Sequence, residues 1–257
     1  MVYRYWVYLK KMIKSISIVF PIYNEHERLK DCFRDIEKFN KITKIRNIEY
    51  IFVDDGSIDN SLGLISQFVN NKNKLRNKIK FKIIKNNKNQ GKGAALIKGV
   101  KAASKEWVLT IDTDISVSLL EINKWIKNKY LESNYKIYFG SRGLKKSNVK
   151  GLYYRKAIGL TLVLICKFFF NIKLHDTQCG FKLYEKKLGK KIFERIIDKR
   201  FAHDIEIVLL AKKYKIEIIE LPVKWTHKPG SKIHVIKDGL KILIAMIKMK
   251  SLTDNFK

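Results

Sequence analysis

Acidic residues are scarce in this chain of 257 residues: 24 Asp and Glu stand against 54 Lys and Arg, for a formal net charge of +30. An excess of that size points to a polyanionic partner, a nucleic acid or an anionic membrane surface. It also fits a surface decorated with Lys, Asn and Ile by a mutationally biased genome, and composition leaves the choice open. Cysteine is scarce too. Cys32, Cys166 and Cys179 are odd in number, far apart and without a CxxC, which excludes a disulfide framework and a zinc ribbon and fits a reducing cytosolic compartment. His175 and Cys179 have no second pair to complete a metal site. Long apolar runs are missing: nothing reaches the roughly 18 residues of a spanning helix, and the nearest stretch, Ala157 to Phe170, is short and broken by Lys167. Met1 to Lys14 is aromatic and basic and lacks the clean apolar run and cleavage site of a signal peptide. Internal repeats and long linkers are absent as well. What remains, 46% hydrophobic residues over a length sufficient for one sizeable domain, is an ordinary globular chain.

The organising stretch is WVLTIDTD, Trp107 to Asp114. It reads as a buried strand running into two carboxylates, Asp112 and Asp114. Side chains at i and i+2 share a face of an extended chain, so pairing that continued past the strand end would aim both acids into one cleft. Open α/β sheets take their ligands at that end of the strands, and two hard oxygen ligands there suit Mg2+ or Mn2+ holding phosphates. The alternative is a polar turn in which Asp112 caps the next helix.

The chain around it repeats strand, loop and helix. Ser15 to Phe20 reads as a strand stopped by Pro21, with Asn24 as the N-cap of a helix to about Phe39 that turns Leu29, Cys32, Phe33 and Ile36 inward. Tyr50 to Val53 is a second strand ending in Asp54-Asp55-Gly56-Ser57, and Phe81 to Ile84 a third. Gly91-Lys92-Gly93 opens a helix to about Ala103. It is neither a P-loop nor a dinucleotide fingerprint, because Asn86 and Leu96 stand where glycines belong and no Ser or Thr follows Lys92. It can present backbone N–H groups and a Lys to an anion and at the same time serve as a helix start with small residues for close packing. The alternation predicts a mostly parallel sheet with right-handed crossovers.

The second half is less regular. It holds a helix around Leu119 to Tyr130, a strand at Lys136 to Phe139, an apolar segment at 153–172, a turn Asp176 to Lys182, helices at Lys186 to Ile197 and His203 to Tyr214, and a strand at Ile216 to Leu221. Ile233 to Lys250 reads as a helix with a wide apolar face and a Lys stripe. That is the pattern of a helix lying in a membrane interface, or of a terminal helix on the protein's own core.

The series ISIVFPIYNE, VDDGSIDNS, NQGKGAAL, IDTD, GSR, DTQCGFK, HDIE and WTHKPGSK, in this order, resembles the GT-A-fold inverting glycosyltransferases of the second sequence family. DTQCGFK and the closing GSK select its lipid-phosphate branch, the dolichyl-phosphate glucosyltransferases and their bacterial polyprenyl-phosphate relatives. The resemblance runs from about Ser15 to Lys232. Two departures stand out: a short aromatic-basic start in place of an N-terminal membrane anchor, and His203 where the family has an aromatic before the late Asp204.

The resemblance implies an α/β fold of the GT-A type, with a mostly parallel central sheet flanked by helices and with amphipathic membrane-interface helices. Residues 1–14 would form a leading segment, 15–232 the transferase domain including the interfacial helix at 153–172, and 233–257 a membrane-associated tail. It implies donor binding by Pro21, Tyr23, Glu25, Asp54, Asp55, Ser57, Gly91, Lys92, Asp112, Lys182 and Lys232. Arg142, Arg155 and Asp176 would take the acceptor phosphate, and Asp112 and Asp114 a Mg2+ or Mn2+ ion. Asp112, Asp114, Arg142 and Asp204 would do the chemistry. A phosphate acceptor is already ionised at neutral pH, so Asp204 is expected to act as base or only to orient. The expected reaction moves a hexose, glucose from UDP-glucose, onto dolichyl or polyprenyl phosphate at the cytoplasmic face of an anionic membrane. GDP-mannose as donor, a polysaccharide acceptor, a basic nucleic-acid-binding protein and a catalytically dead membrane scaffold are the alternatives. Against nucleic acid stand the missing zinc-finger and RNA-recognition signatures.

Overall fold

The computed structural model describes residues 13–73, 79–131, 137–150, 166–168, 170–228 and 244–245. Strands that are apolar on both faces must be covered on both faces, and these are. The main sheet has seven strands in the order β3-β2-β1-β4-β7-β5-β8. They are β1 (Ser15–Ile22), β2 (Asn47–Asp54), β3 (Ile79–Lys85), β4 (Trp107–Thr110), β5 (Ile137–Ser141), β7 (Lys182–Glu185) and β8 (Ile218–Pro222). Only β7 runs against its neighbours β4 and β5; the other pairings are parallel. A separate parallel ribbon joins β6 (Asn148–Lys150) to β9 (Lys224–Thr226).

Among the described residues, six helices with both ends described pack on the sheet: α1 (His26–Ile42), α2 (Ser61–Asn73), α3 (Lys92–Ala102), α4 (Leu120–Lys127), α5 (Lys186–Phe193) and α6 (His203–Lys213). Period-2 alternation divides the core into two layers. Ile18, Phe20, Tyr50 and Phe52 face Leu29, Ile36, Ile65 and Trp125 from α1, α2 and α4. Val19, Ile51 and Val53 face Ala95, Val100, Ile192 and Ile205 from α3, α5 and α6. The first layer is rich in aromatics, with Phe33 and Phe68 stacked 4.0 Å apart and Phe20 and Phe52 5.3 Å apart. Each such pair contributes about 0.5–1.5 kcal/mol beyond its buried area.

The start of the chain differs from expectation in two places. Pro21 does not stop β1 but sits inside it, paired with Val53. Its missing N–H costs nothing: Pro21 faces β4, whose last pairing is Val19 with Thr110. Its carbonyl accepts the Thr113 hydroxyl instead, at 2.9 Å. Asn24 does not cap α1; it takes φ 53°, and its Oδ1 accepts the N–H groups of Ile58 and Asp59 at 2.8 and 3.4 Å. The DTQCGFK turn leads into β7, which inserts between β4 and β5. Most of the expected interfacial segment at 153–172, nearly all of 233–257, Arg155 and Lys232 lie outside the described residues. Among the described residues no helix is long and apolar enough to cross a membrane.

Candidate active site

Parallel strands β1, β2 and β4 end along one edge, and their exit loops carry the expected acids. Asp54 is fully buried. Its Oδ1 accepts the Ser57 N–H at 3.3 Å, and its Oδ2 has no hydrogen-bond partner among the described residues. Asp55 is committed to the framework. Oδ1 accepts the Asn86 side-chain amide at 2.6 Å and the Gln90 N–H at 3.1 Å. Oδ2 accepts the Gln90 and Gly91 N–H groups at 3.1 and 2.7 Å. This carboxylate pins the start of α3 to the end of β2. Ser57 Oγ accepts the Asn24 N–H at 2.9 Å, and the Glu25 carboxylate accepts from Arg28 at 3.0 Å. Tyr23 is half-buried in the loop after β1.

The Gly91-Lys92-Gly93 turn packs closely on the loop before α6. Gly91 takes φ 111°, and a Cβ there would lie 2.3 Å from the Lys199 carbonyl oxygen, so only glycine fits. The N–H groups of Gly93 and Ala94 donate to the Arg200 and Lys199 carbonyls at 3.2 and 3.0 Å. These first-turn donors are spent on protein, which leaves the Lys92 side chain as the charged group this turn delivers.

β4 ends at Thr110, and the Ile115 N–H donates to the Asp112 carbonyl at 3.2 Å. A turn, rather than strand alternation, therefore presents Asp112 and Asp114. Lys92 Nζ lies 2.5 Å from Asp112 Oδ1, with the side chains 22% and 38% exposed. Burial lowers the Lys92 pKa, but Asp112, Asp204 and Asp114 raise it more, so the ammonium is held charged. Asp114 Oδ1 accepts the Ser116 N–H at 2.9 Å. Across from Asp112 a Cβ on Gly180 would fall 2.4 Å from Oδ2 and 2.7 Å from Oδ1; glycine there leaves the carboxylate its room. The residues fit a hard divalent cation: two carboxylates, both partly exposed, with glycine rather than a side chain facing Asp112. No set of three or more His, Cys, Asp and Glu converges on a metal position among the described residues, so ligand oxygens and water would complete a shell of six.

Toward the other end of the edge the acids are paired with cations. Arg142, at the exit of β5, forks onto Asp176, Nε to Oδ2 at 2.6 Å and Nη2 to Oδ1 at 2.9 Å. The guanidinium also lies 5.8 Å from the Trp225 ring centre. Burial raises the Asp176 pKa, yet Arg142 lowers it further, and the carboxyl ends below its ordinary value. Asp176 is itself held by Glu220 of β8, which accepts the N–H groups of His175 and Asp176 at 2.8 and 2.9 Å.

Lys182 is 1% exposed. Its ammonium donates to the Thr177 carbonyl at 2.9 Å and to Asp204 Oδ1, and lies 4.5 Å from the Phe139 ring centre. Burial raises the Asp204 pKa, while His203, Lys182 and Lys92 lower it more, to about 2. Asp204 is thus a weak base at neutral pH and an effective anchor for cations.

The sequence did not single out Glu220, and it carried Gly180 and Glu206 only within the DTQCGFK and HDIE motifs; Glu206 accepts the Ile197 and Asp198 N–H groups at 2.9 Å each. Glu220 had a signal: an acid inside the apolar run IIELPV needs buried donors.

The model of glycosyl transferase family 2 matches residues 17–193. The dolichyl-phosphate beta-glucosyltransferase of Homo sapiens is 30% identical over 230 residues, 86% of this chain and 70% of that protein. Its counterpart in Dictyostelium discoideum is 27% identical over 248 residues, 91% and 73% of the two chains. Glucosyl-3-phosphoglycerate synthase of Mycobacterium tuberculosis, solved with Mg2+ and UDP, superposes with a TM-score of 0.65 at 15% identity, over 92% of this chain and 79% of that one. A second structure of that synthase, with Mn2+, UDP and glucosyl-3-phosphoglycerate, gives a TM-score of 0.63 at 14% identity, over 92% and 80%. These solved structures bear out the GT-A-like fold.

Proposed function

The chain is a member of glycosyl transferase family 2, and from that premise we propose that it moves glucose from UDP-glucose onto dolichyl or polyprenyl phosphate. The products are a β-linked glycosyl phospholipid and UDP. One observation carries the reading: the matching relatives named for this reaction span most of the chain at 27–30% identity. The chemistry of the site supports it. Asp112 and Asp114 would hold Mg2+ or Mn2+, which when bound neutralises charge on a departing nucleoside diphosphate. Lys92 stands beside them as a second positive charge. Arg142 offers a planar fork suited to a phosphate monoester, provided that it exchanges Asp176 for the phosphate. The buried free oxygen of Asp54 suits an N–H donor such as a base edge. Asp204 orients Lys182, adds negative charge near Lys92 and leaves strong-base work undone, which an ionised phosphate nucleophile permits.

The work site is the cytoplasmic face of an anionic membrane. The net charge of +30 supports this, as does Phe168, 85% exposed beside an exposed Lys167. The test is a panel of labelled nucleotide sugars incubated with the protein, Mg2+ and polyprenyl phosphate in vesicles. Label entering the lipid phase from UDP-glucose is the expected result. Label from GDP-mannose alone would reassign the donor, and no label from any donor would overturn the reading.

A further inference from the structure

We infer that His203 backs Asp204 as the proton store of the transfer, receiving through that carboxylate the proton an acceptor phosphate loses as it attacks. This rests on the proposed use of a phosphate monoester and adds a role to a residue that departs from the family pattern. The imidazole is 0% exposed. Its Nδ1 lies 2.5 Å from the Arg200 carbonyl oxygen. A carbonyl only accepts, so the neutral ring carries its proton on Nδ1 and a bare lone pair on Nε2. Nε2 has no hydrogen-bond partner among the described residues and lies 3.4 Å from Asp204 Oδ1, itself an acceptor. Two acceptors facing each other away from water form a place where one proton is held between them.

The charged groups around the ring come from three elements: Asp204 of α6 itself, Lys92 of α3 and Lys182 of β7. Burial lowers the imidazole pKa below its ordinary value, and the two ammonium groups add to that against the pull of Asp204. At neutral pH the ring is therefore neutral and ready to accept.

A phosphate monoester has its second pKa near about 6, so part of the acceptor arrives with one proton left. The diester product has none. In the step, a phosphate oxygen bonds to the anomeric carbon. The bond from that carbon to the diphosphate oxygen breaks, and its electron pair leaves on the diphosphate. The phosphate proton passes to Asp204 and on to Nε2, from which it later returns to water. His203 acts through Asp204 and does not touch the substrate.

The test is the pH profile of transfer to polyprenyl phosphate by the full chain and by His203→Phe, which restores an aromatic, and His203→Gln. The variants match the parent at alkaline pH. One pH unit below the phosphate's second pKa they keep about a tenth of their plateau, the dianion fraction there, while the parent's profile follows its own imidazole. A phosphonate acceptor, a weaker acid, moves the variants' acid limb upward and leaves the parent's in place. Nitrogen-15 NMR of labelled histidine shows a neutral Nδ1–H ring that disappears in His203→Phe, a reading that stands even where a variant folds poorly. Superimposable pH profiles, or a ring protonated on Nε2 when neutral, overturn the inference. A parent protein with no transfer to lipid phosphate overturns the proposed function instead, and the NMR result still judges the geometry of His203.

Discussion

The two ends of the site hold their acids in opposite ways. At the β1–β2 end, Asp55 accepts from backbone N–H groups of Gln90 and Gly91, and Asp54 from that of Ser57. At the β7–β8 end, Asp204 is tied to the cation Lys182, and Asp176, although it also accepts the Arg142 and Gln178 N–H groups, carries the Arg142 guanidinium, so here it is the cations that a ligand can draw away. A carboxylate bonded to backbone is part of the scaffold, because the peptide groups cannot move to another partner. A carboxylate bonded to a side-chain cation is exchangeable, because a phosphate can take its place on the same donors. The first end is a fixed socket and the second a set of charges that a ligand can repartner. Asp112, on Lys92, stands between the two regimes.

Several substitutions break or sharpen that contrast. The largest effect belongs to the middle: Asp114→Ala lowers kcat by about a thousand-fold or more, with an unchanged melting temperature, measured as label transferred to lipid. At the fixed end, Asp55→Ala strands the Asn86 amide and the Gln90 and Gly91 N–H groups. It costs about 3 kcal/mol of stability, read as a drop in urea midpoint at constant slope. At the exchangeable end, pH separates the roles. The folded pKa of Asp204 is depressed to about 2, against about 3.9 when unfolded. Its contribution is therefore complete above the unfolded value and lost as pH falls through the folded one. That loss amounts to about 2–3 kcal/mol, seen in urea midpoints of the parent and missing in Asp204→Asn. Arg142→Lys removes the fork but keeps the charge. It raises KM for the lipid phosphate about ten-fold, or about 1.4 kcal/mol, with little loss of stability. The smallest effect is Glu37→Gln, which breaks a half-exposed pair with Lys72 far from the site and shifts stability by less than about 1 kcal/mol.

Much of the fixed end was legible in the sequence. Apolar runs such as SISIVF and YIFV declare strands by themselves, and acids at their exits declare the edge where ligands bind. The burial of Leu29, Cys32 and Ile36 followed from helical spacing. Pro21 misled because its cost depends on which neighbour it faces, and β4 is too short to reach it. Asn24 misled because a cap and a tether use the same side chain, and only the tertiary approach of Ile58 decides between them. The exchangeable end was less legible. Arg142 and Asp176 are 34 positions apart, and nothing local says that an antiparallel β7 slips between β4 and β5 to bring them together. His203 was visible only as a departure from a family pattern; its meaning needed the Arg200 carbonyl and the Asp204 carboxylate around it.

The most direct measurement is the transfer of labelled glucose from UDP-glucose into polyprenyl phosphate by purified protein with Mg2+, run in parallel with Asp114→Ala. The account predicts label in the lipid phase for the parent, its loss on adding a chelator, and none for the variant. Equal labelling by both proteins, or undiminished transfer with the cation removed, would contradict it.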